Sequence, residues 1–255
     1  MTKAHGVLAA VLIAAGISLS VHRADPLSRI STTKKLPFAK TDSAVTRSEW
    51  ISLYDSLGLK KQGLSERAFY CAWFGFQKIK LDNPIMAICD FTQSSRNKRL
   101  YVIDLLKKKV LLNTYVAHGR NSGSEFAERF SNANSSFQSS LGFYKTLGTY
   151  QGKHGLSLRL EGLEKGINDR ALERAIVMHG ADYVSESFIR NTGRLGRSLG
   201  CPAVSIADSK KLINMLYNGA GLFIYSGDQH YIQKSSLLAG MEAMADVQAL
   251  GVSRL

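Results

Sequence analysis

Apolar residues recur at helical spacing in the first third of the chain, whereas further along they follow the period of strands. Thr46 and Glu49 form a capping-box pattern ahead of the first periodic stretch, which ends at Gly58. Ser65 is placed to cap a second helix, whose row of aromatic and small apolar side chains is typical of a packing surface. We therefore expect two helices in a small N-terminal unit, residues 43–80.

From residue 84 onwards, short β-rich runs alternate with polar turns. The runs cover residues 85–91, 99–105, 110–117, 141–150, 156–160, 175–178 and 221–225, and a helix is expected over 206–218. The first three runs predict an antiparallel meander, and a loop rich in Gly, Ser and Asn follows at 119–140. Since helices do not alternate with the strands, the pattern predicts a mainly β domain over residues 81–228, a mixed antiparallel β-sandwich or barrel with added helices (α+β overall).

The two ends of the chain differ from this middle part. An uncharged run at residues 6–21 is shorter than the roughly 20 apolar residues of a membrane-spanning helix. Ser18 and Ser20 lie two apart near its end, as at a signal-peptidase site. The pattern favours a cleaved secretory signal over a retained anchor, with export to the periplasm and membrane contact through this segment alone. The predicted terminal segments are a signal peptide at 1–20, a linker at 21–42 and a helical tail at 229–255.

The chain is strongly basic, with a formal net charge of +13. We interpret this charge preferably as a solvated basic surface, with attraction to an anionic surface as the alternative. No base-reading motif accompanies it, so we predict no nucleic-acid partner. The sequence contains no metal-ligand pattern such as H-E-x-x-H or C-x-x-C and no phosphate-binding glycine loop. We therefore predict no metal and no cofactor.

Three cysteines, Cys71, Cys89 and Cys201, leave at least one thiol unpaired within the chain. In an oxidising compartment a free thiol is a liability unless it has a use, and Cys201 is the candidate for that use. We interpret Cys71 and Cys89 either as a disulfide or, preferably, as two buried apolar thiols.

The candidate chemistry lies between a strand that ends at His179 and the segment that contains Cys201. A thiolate is a strong nucleophile, and a neighbouring imidazole stabilises the ionised form. Gly180 leaves room beside the histidine, and Gly200 lets the backbone approach a substrate carbonyl. The N–H groups of Gly200 and Cys201 are candidate donors to an oxyanion. Taken alone, the two residues fit an inert thiol beside a core histidine equally well.

The same stretch contains a G-x-S-x-G pattern, from Gly196 to Gly200, which is typical of the nucleophile turn of serine hydrolases. That motif requires alternating strands and helices, with an acid and a histidine far downstream. The upstream sequence lacks this alternation, and the candidates Asp208, Asp228 and His230 follow closely. A serine hydrolase is therefore disfavoured.

The segment from His179 to Ala181, followed by Gly196-Arg-Ser-Leu-Gly-Cys-Pro-Ala203, resembles the signature of the L,D-transpeptidase catalytic-domain family, the cysteine enzymes that crosslink bacterial cell walls. The resemblance extends over residues 84–226. It implies a mainly β sandwich or barrel. It also implies these roles: Cys201 as nucleophile, His179 as general base, Ser198 orienting the histidine through its backbone, and Gly200 beside the nucleophile.

Departures from the family pattern indicate a divergent branch. Leu199 stands where the family commonly has a histidine, and Pro202 follows the cysteine where an arginine often lies close by. Arg197 or Arg194 is the candidate to bind a substrate carboxylate instead, and His118 is the candidate to line the donor pocket. Other polar residues have a structural interpretation beside a functional one, namely His154, Ser131, Asn132, Arg170 and Arg174.

The resemblance implies a two-step acyl transfer on peptidoglycan stem peptides. Cys201 would attack the carbonyl at the L-centre of the diamino acid, and an amine of a second stem would take the acyl group. With water as acceptor, the same residues would make a carboxypeptidase or endopeptidase. A sortase-like transpeptidase is disfavoured because no arginine occurs between Pro202 and Gly251. A wall-binding module with an inert thiol is the non-enzymatic alternative.

Overall fold

The computed structural model describes residues 43–241 of the 255-residue chain. The predicted signal peptide, the linker and the end of the predicted tail lie outside these residues. The helices of the described part are α1 (Ser43–Ser56), α2 (Glu66–Phe76), α3 (Glu186–Thr192), α4 (Ile206–Leu216) and α5 (Gln229–Lys234). Its strands are β1 (Ile85–Asp90), β2 (Leu100–Asp104), β3 (Lys109–Thr114), β4 (Gly142–Gly152), β5 (Gly155–Gly162), β6 (Val177–Ala181), β7 (Ala203–Ser205) and β8 (Gly221–Tyr225). Between residues 43 and 241, no helix combines the length and the hydrophobicity needed to cross a membrane.

The two predicted N-terminal helices are present, but α1 begins at Ser43, so the prediction that Thr46 caps its start is wrong. Ser65 caps α2, because its hydroxyl accepts a hydrogen bond from the N–H of Ala68 at 3.2 Å. At the other end of α2, Phe76 packs edge-on against Phe143 of β4, with ring centroids 5.2 Å apart. The aromatic row of α2 is therefore a packing surface, as predicted, and it belongs to the same hydrophobic core as the sheet.

The strands form one mixed sheet in the order β3-β2-β1-β8-β4-β5-β6-β7. The predicted meander of β1, β2 and β3 is confirmed, since both of its pairings are antiparallel. Strand β8 returns to the centre of the sheet, parallel to β1 and antiparallel to β4. At one edge, β7 pairs with β6 in parallel, and this edge carries the candidate site.

The two edges of the sheet approach each other. Beyond β3, Ala117 forms a bridge with Ala203 of β7, and Gly119 forms one with Ser198. The sheet is thereby nearly closed into a barrel, and the predicted mainly β fold with added helices is confirmed. Neither β7 nor α3 was predicted. Strand β7 is only three residues long, and α3 buries no residue, so neither has a repeating pattern of apolar residues in the sequence.

The two cysteines outside the candidate site are buried thiols that form no disulfide with each other. The sulfur of Cys71 lies 3.6 Å from that of Met241, and Cys89 lies in the central strand β1. Burial raises the pKa of Cys89 to about 12, so its thiol stays protonated and unreactive. The preferred interpretation, two buried apolar thiols, is confirmed.

Candidate active site

The pairing of β6 with β7 brings the predicted nucleophile to the strand that carries the predicted base. His179 of β6 pairs with Ala203 of β7, so Cys201, two residues earlier, lies beside the start of β6. The backbone N–H of Val177 lies 3.5 Å from the Cys201 sulfur, and the thiol points at the carbonyl of Ala175 at 3.7 Å. The thiol is half-buried, at the border of the main core.

In the described part of the chain, no hydrogen bond joins the Cys201 sulfur to the ring of His179. The thiol contacts the backbone at Val177, and positions two apart along a strand are separated by about 7 Å. Burial raises the pKa of Cys201, and burial also lowers the pKa of His179. Both shifts favour the neutral form of each group, and the neutral thiol donates to the Ala175 carbonyl.

The proton of the His179 ring has a defined place. Nδ1 lies 2.9 Å from the carbonyl oxygen of Gly180, which can only accept, so the proton resides on Nδ1 and Nε2 is left as the basic nitrogen. The ring of His154, at the tip of the β4–β5 hairpin, stacks on it with centroids 4.3 Å apart and planes at 18°. His154, expected to be structural, therefore covers the candidate base.

Ser198 holds the turn of residues 198–201, called the nucleophile turn here because it carries the predicted nucleophile. Its hydroxyl donates to the carbonyl of Cys201 at 2.6 Å and accepts from the N–H of Gly200 at 3.0 Å. Its backbone N–H donates to the carbonyl of His118 at 2.9 Å. The expectation that the Ser198 backbone orients His179 is therefore wrong, because the Gly180 carbonyl has that contact.

The two glycines of the predicted site have different environments. Gly200 has φ = 125°, and a Cβ there would lie 2.9 Å from the carbonyl oxygen of Gln138, so a side chain is excluded on both grounds. A Cβ on Gly180 would lie 2.9 Å from the hydroxyl of Ser209 in α4. The expectation of open room beside the histidine at Gly180 is therefore wrong, because helix α4 occupies it.

Comparison with known proteins adds to this geometry. Residues 60–225 match the L,D-transpeptidase catalytic domain. The chain belongs to the L,D-transpeptidase catalytic-domain family. A search of curated protein sequences finds no match.

Several solved structures are similar to the chain at low identity. An L,D-transpeptidase from Mycobacterium smegmatis is 12% identical with a TM-score of 0.35; the match covers 56% of this chain and 59% of the M. smegmatis chain. An L,D-transpeptidase from Stackebrandtia nassauensis is 18% identical with a TM-score of 0.32; the match covers 71% of this chain and 77% of the S. nassauensis chain. A variant of the helical cell shape determining protein Pgp2 from Campylobacter jejuni is 14% identical with a TM-score of 0.40; the match covers 74% of this chain and 63% of the Pgp2 chain. This chain thus spans less than two thirds of the first and third of these proteins.

The arginines proposed for this divergent L,D-transpeptidase site are engaged by backbone carbonyls. Arg197 donates to the carbonyls of Arg120 at 3.1 Å and Gly123 at 3.0 Å, and Arg194 donates to that of Leu195 at 2.6 Å. Burial and the charge of Arg197 lower the pKa of Arg194. A role for either arginine towards a substrate carboxylate stays a prediction.

His118 does not line an open pocket. The side chain is fully buried, Nδ1 accepts from Arg99 at 2.8 Å, and Nε2 lies 3.4 Å from the carbonyl of Gly123. Burial, followed by the charge of Arg99, lowers the pKa of His118 to about 3, so the ring is neutral. The expectation that His118 contacts the donor substrate is therefore wrong.

Two further residues shape the surroundings of the thiol. Leu199, between Ser198 and Gly200, is 51% exposed and presents an apolar surface beside the nucleophile. Tyr183 packs against Gly196, and burial, followed by the charge of Cys201, raises the pKa of Tyr183 to about 12. Within residues 43–241, no cluster of three or more His, Cys, Asp or Glu side chains is arranged to hold a metal ion.

Proposed function

We propose that the protein is an exported peptidoglycan L,D-transpeptidase that acts through a thioester on Cys201. The observation that carries the proposal is the placement of a half-buried thiol, two residues before β7, next to the strand β6 that carries a neutral imidazole with Nε2 of His179 left as the base. The other two cysteines are buried: the sulfur of Cys71 contacts that of Met241, and Cys89 lies in strand β1.

Acylation begins from neutral groups. The Cys201 side chain rotates away from the Ala175 carbonyl, and Nε2 of His179 takes the thiol proton as the sulfur attacks the carbonyl at the L-centre of the donor's diamino acid. The N–H of Gly200 is already bound by Ser198, which leaves the N–H of Cys201 as the donor to the developing oxyanion. Collapse of the tetrahedral intermediate breaks the peptide bond, and His179 returns the proton to the departing D-alanine amine.

Deacylation repeats these steps with a second stem peptide. Its amine attacks the thioester carbonyl and gives a proton to Nε2 of His179, the carbon–sulfur bond breaks, and the thiolate regains that proton. A new peptide bond then links the two stems. If water enters in place of the amine, the product is a shortened stem peptide, so acceptor choice depends on how well the site excludes water.

The experiment that tests this function uses a purified muropeptide tetrapeptide and mass spectrometry. We expect release of D-alanine, a crosslinked dimer, and a covalent carbapenem adduct on Cys201. Cys201→Ala should abolish all three, whereas Cys71→Ala, at a buried thiol, is the matched control. Shortened monomers without dimers would indicate the hydrolytic alternative. If D-alanine is not released and no adduct forms on Cys201, the proposed function is wrong.

A further inference from the structure

Arg174 lies directly before the site and differs from the other arginine of the same segment. Arg170 is exposed and forms an ion pair with Glu173 at 2.9 Å. Arg174 is half-buried and forms no ion pair in the described chain. It is followed by Ala175, which has φ = 52° although it is not glycine and whose carbonyl accepts from the Cys201 thiol.

The guanidinium of Arg174 binds the loop at 131–140 through four hydrogen bonds. Nη1 donates to the carbonyl of Ser131 at 2.8 Å and to the hydroxyl of Ser140 at 2.5 Å. Nη2 donates to the hydroxyl of Ser136 at 3.1 Å and to the carbonyl of Gln138 at 2.7 Å. All four acceptors are neutral, so these contacts fix the guanidinium in place and leave its positive charge uncompensated.

The same group reaches the nucleophile turn. A Cβ on Gly200 would lie 3.4 Å from Nη2 of Arg174 and 2.9 Å from the carbonyl oxygen of Gln138, which Nη2 binds. The hydroxyl of Ser139 adds a contact to the Gly200 carbonyl at 3.4 Å. The guanidinium and the loop it holds therefore both lie against the residue that precedes Cys201.

We propose that Arg174 is a positioning residue of this site: it holds loop 131–140 against the nucleophile turn and supplies the fixed positive charge that stabilises the Cys201 thiolate. This inference rests on the proposed function for its purpose, although its charge effect is measurable on the thiol alone.

Several charged and titratable groups act on the Cys201 thiol. Burial has the largest effect and raises its pKa; the Val177 N–H, Arg174 and then Lys153 of the β4–β5 hairpin lower it. Tyr183 and His179 are neutral at pH 7, because burial raises the pKa of Tyr183 and lowers the pKa of His179. Arg174 is thus the first of the side-chain charges that oppose the effect of burial.

The test measures alkylation of Cys201 by iodoacetamide as a function of pH, because alkylation requires the thiolate. Adducts are assigned by mass spectrometry in the full chain. For Arg174→Gln we expect the pH profile to move upward by about one unit, which is about a tenfold lower rate below the thiol pKa. Arg170→Gln is the matched control and should follow the wild-type profile. Thermal unfolding establishes that each variant is folded.

Arg174→Lys separates charge from geometry. A lysine ammonium has three donors and cannot satisfy four acceptors spread along a loop, so its profile should lie between those of wild type and Arg174→Gln. A folded Arg174→Gln with the wild-type profile, or a lysine variant that matches the glutamine variant, overturns the proposal. If Arg174→Gln does not fold, an unchanged profile for Arg174→Lys overturns it instead. Absence of transpeptidation in the wild type would refute the proposed function and leave this alkylation comparison intact.

Discussion

The interface between α2 and the sheet and the edge that carries Cys201 are built from different interactions. At the interface, Phe143 lies between the rings of Phe76 and Phe223, with centroids 5.2 Å and 4.2 Å away. At the edge, the nucleophile turn is held by a serine hydroxyl, backbone carbonyls and the guanidinium of Arg174. Apolar packing stabilises the domain, whereas directed hydrogen bonds hold a few atoms in place for chemistry.

Backbone conformation shows the same contrast. In the described residues, positive φ occurs at five non-glycine positions, and three of them, Ser135, Phe137 and Ala175, lie in the loop held by Arg174 or beside the thiol. Such conformations cost free energy and persist only where surrounding contacts enforce them. The backbone strain is therefore concentrated at the edge of the sheet that carries Cys201, here called the polar edge. The aromatic interface contributes the stability that offsets this strain.

The largest effect is expected at the aromatic interface. Phe143→Ala removes a fully buried ring between two others and should destabilise the fold by about 3–5 kcal/mol, as measured by urea unfolding. Phe126→Ala, at a side chain that is 45% exposed, is the matched control and should change stability by less than about 0.5 kcal/mol. In the folded fraction of Phe143→Ala, the alkylation profile of Cys201 should stay as in wild type. A shifted profile would show that the two regions are coupled and would break the comparison.

A change in the nucleophile turn should have a smaller effect on stability and a larger one on chemistry. Gly200→Ala places a Cβ 2.9 Å from the Gln138 carbonyl at φ = 125°, so we expect a loss of about 1–3 kcal/mol in unfolding free energy. Because the turn must shift, D-alanine release should fall at least about a hundredfold. Gly193→Ala, at the end of α3 with φ = 78° and no atom near its Cβ, is the control for backbone strain alone. Equal activity losses in the two variants would contradict the steric explanation.

The sequence predicted one of these regions better than the other. Apolar residues recur at strand spacing in the β-rich runs and at helical spacing in the N-terminal region. Most strands and both N-terminal helices were therefore predicted close to their observed bounds. The candidate nucleophile and base, Cys201 and His179, were chosen from motif residues that are local in sequence. The burial of His118, the loop contacts of Arg174 and the stack of His154 on His179 join residues far apart in the chain, and they depend on the order of strands in the sheet. No local pattern encodes them.

The smallest predicted effect concerns the stacked histidines. Burial lowers the pKa of His179 most, and the neighbouring His154 lowers it further, since two stacked imidazoles disfavour a second positive charge. His154→Asn removes the ring that covers His179 and the electrostatic effect of that ring, so the pKa of His179 should rise. Because the proposed base must be neutral, the acid limb of the pH–rate profile should then move to higher pH. His154→Phe keeps an aromatic ring over His179 and should show a smaller shift in the same direction, with melting temperatures unchanged in both variants. If the acid limb of His154→Asn stays in place, His154 does not affect the pKa of His179. The residues whose charge affects the chemistry would then be Cys201, His179 and Arg174 alone.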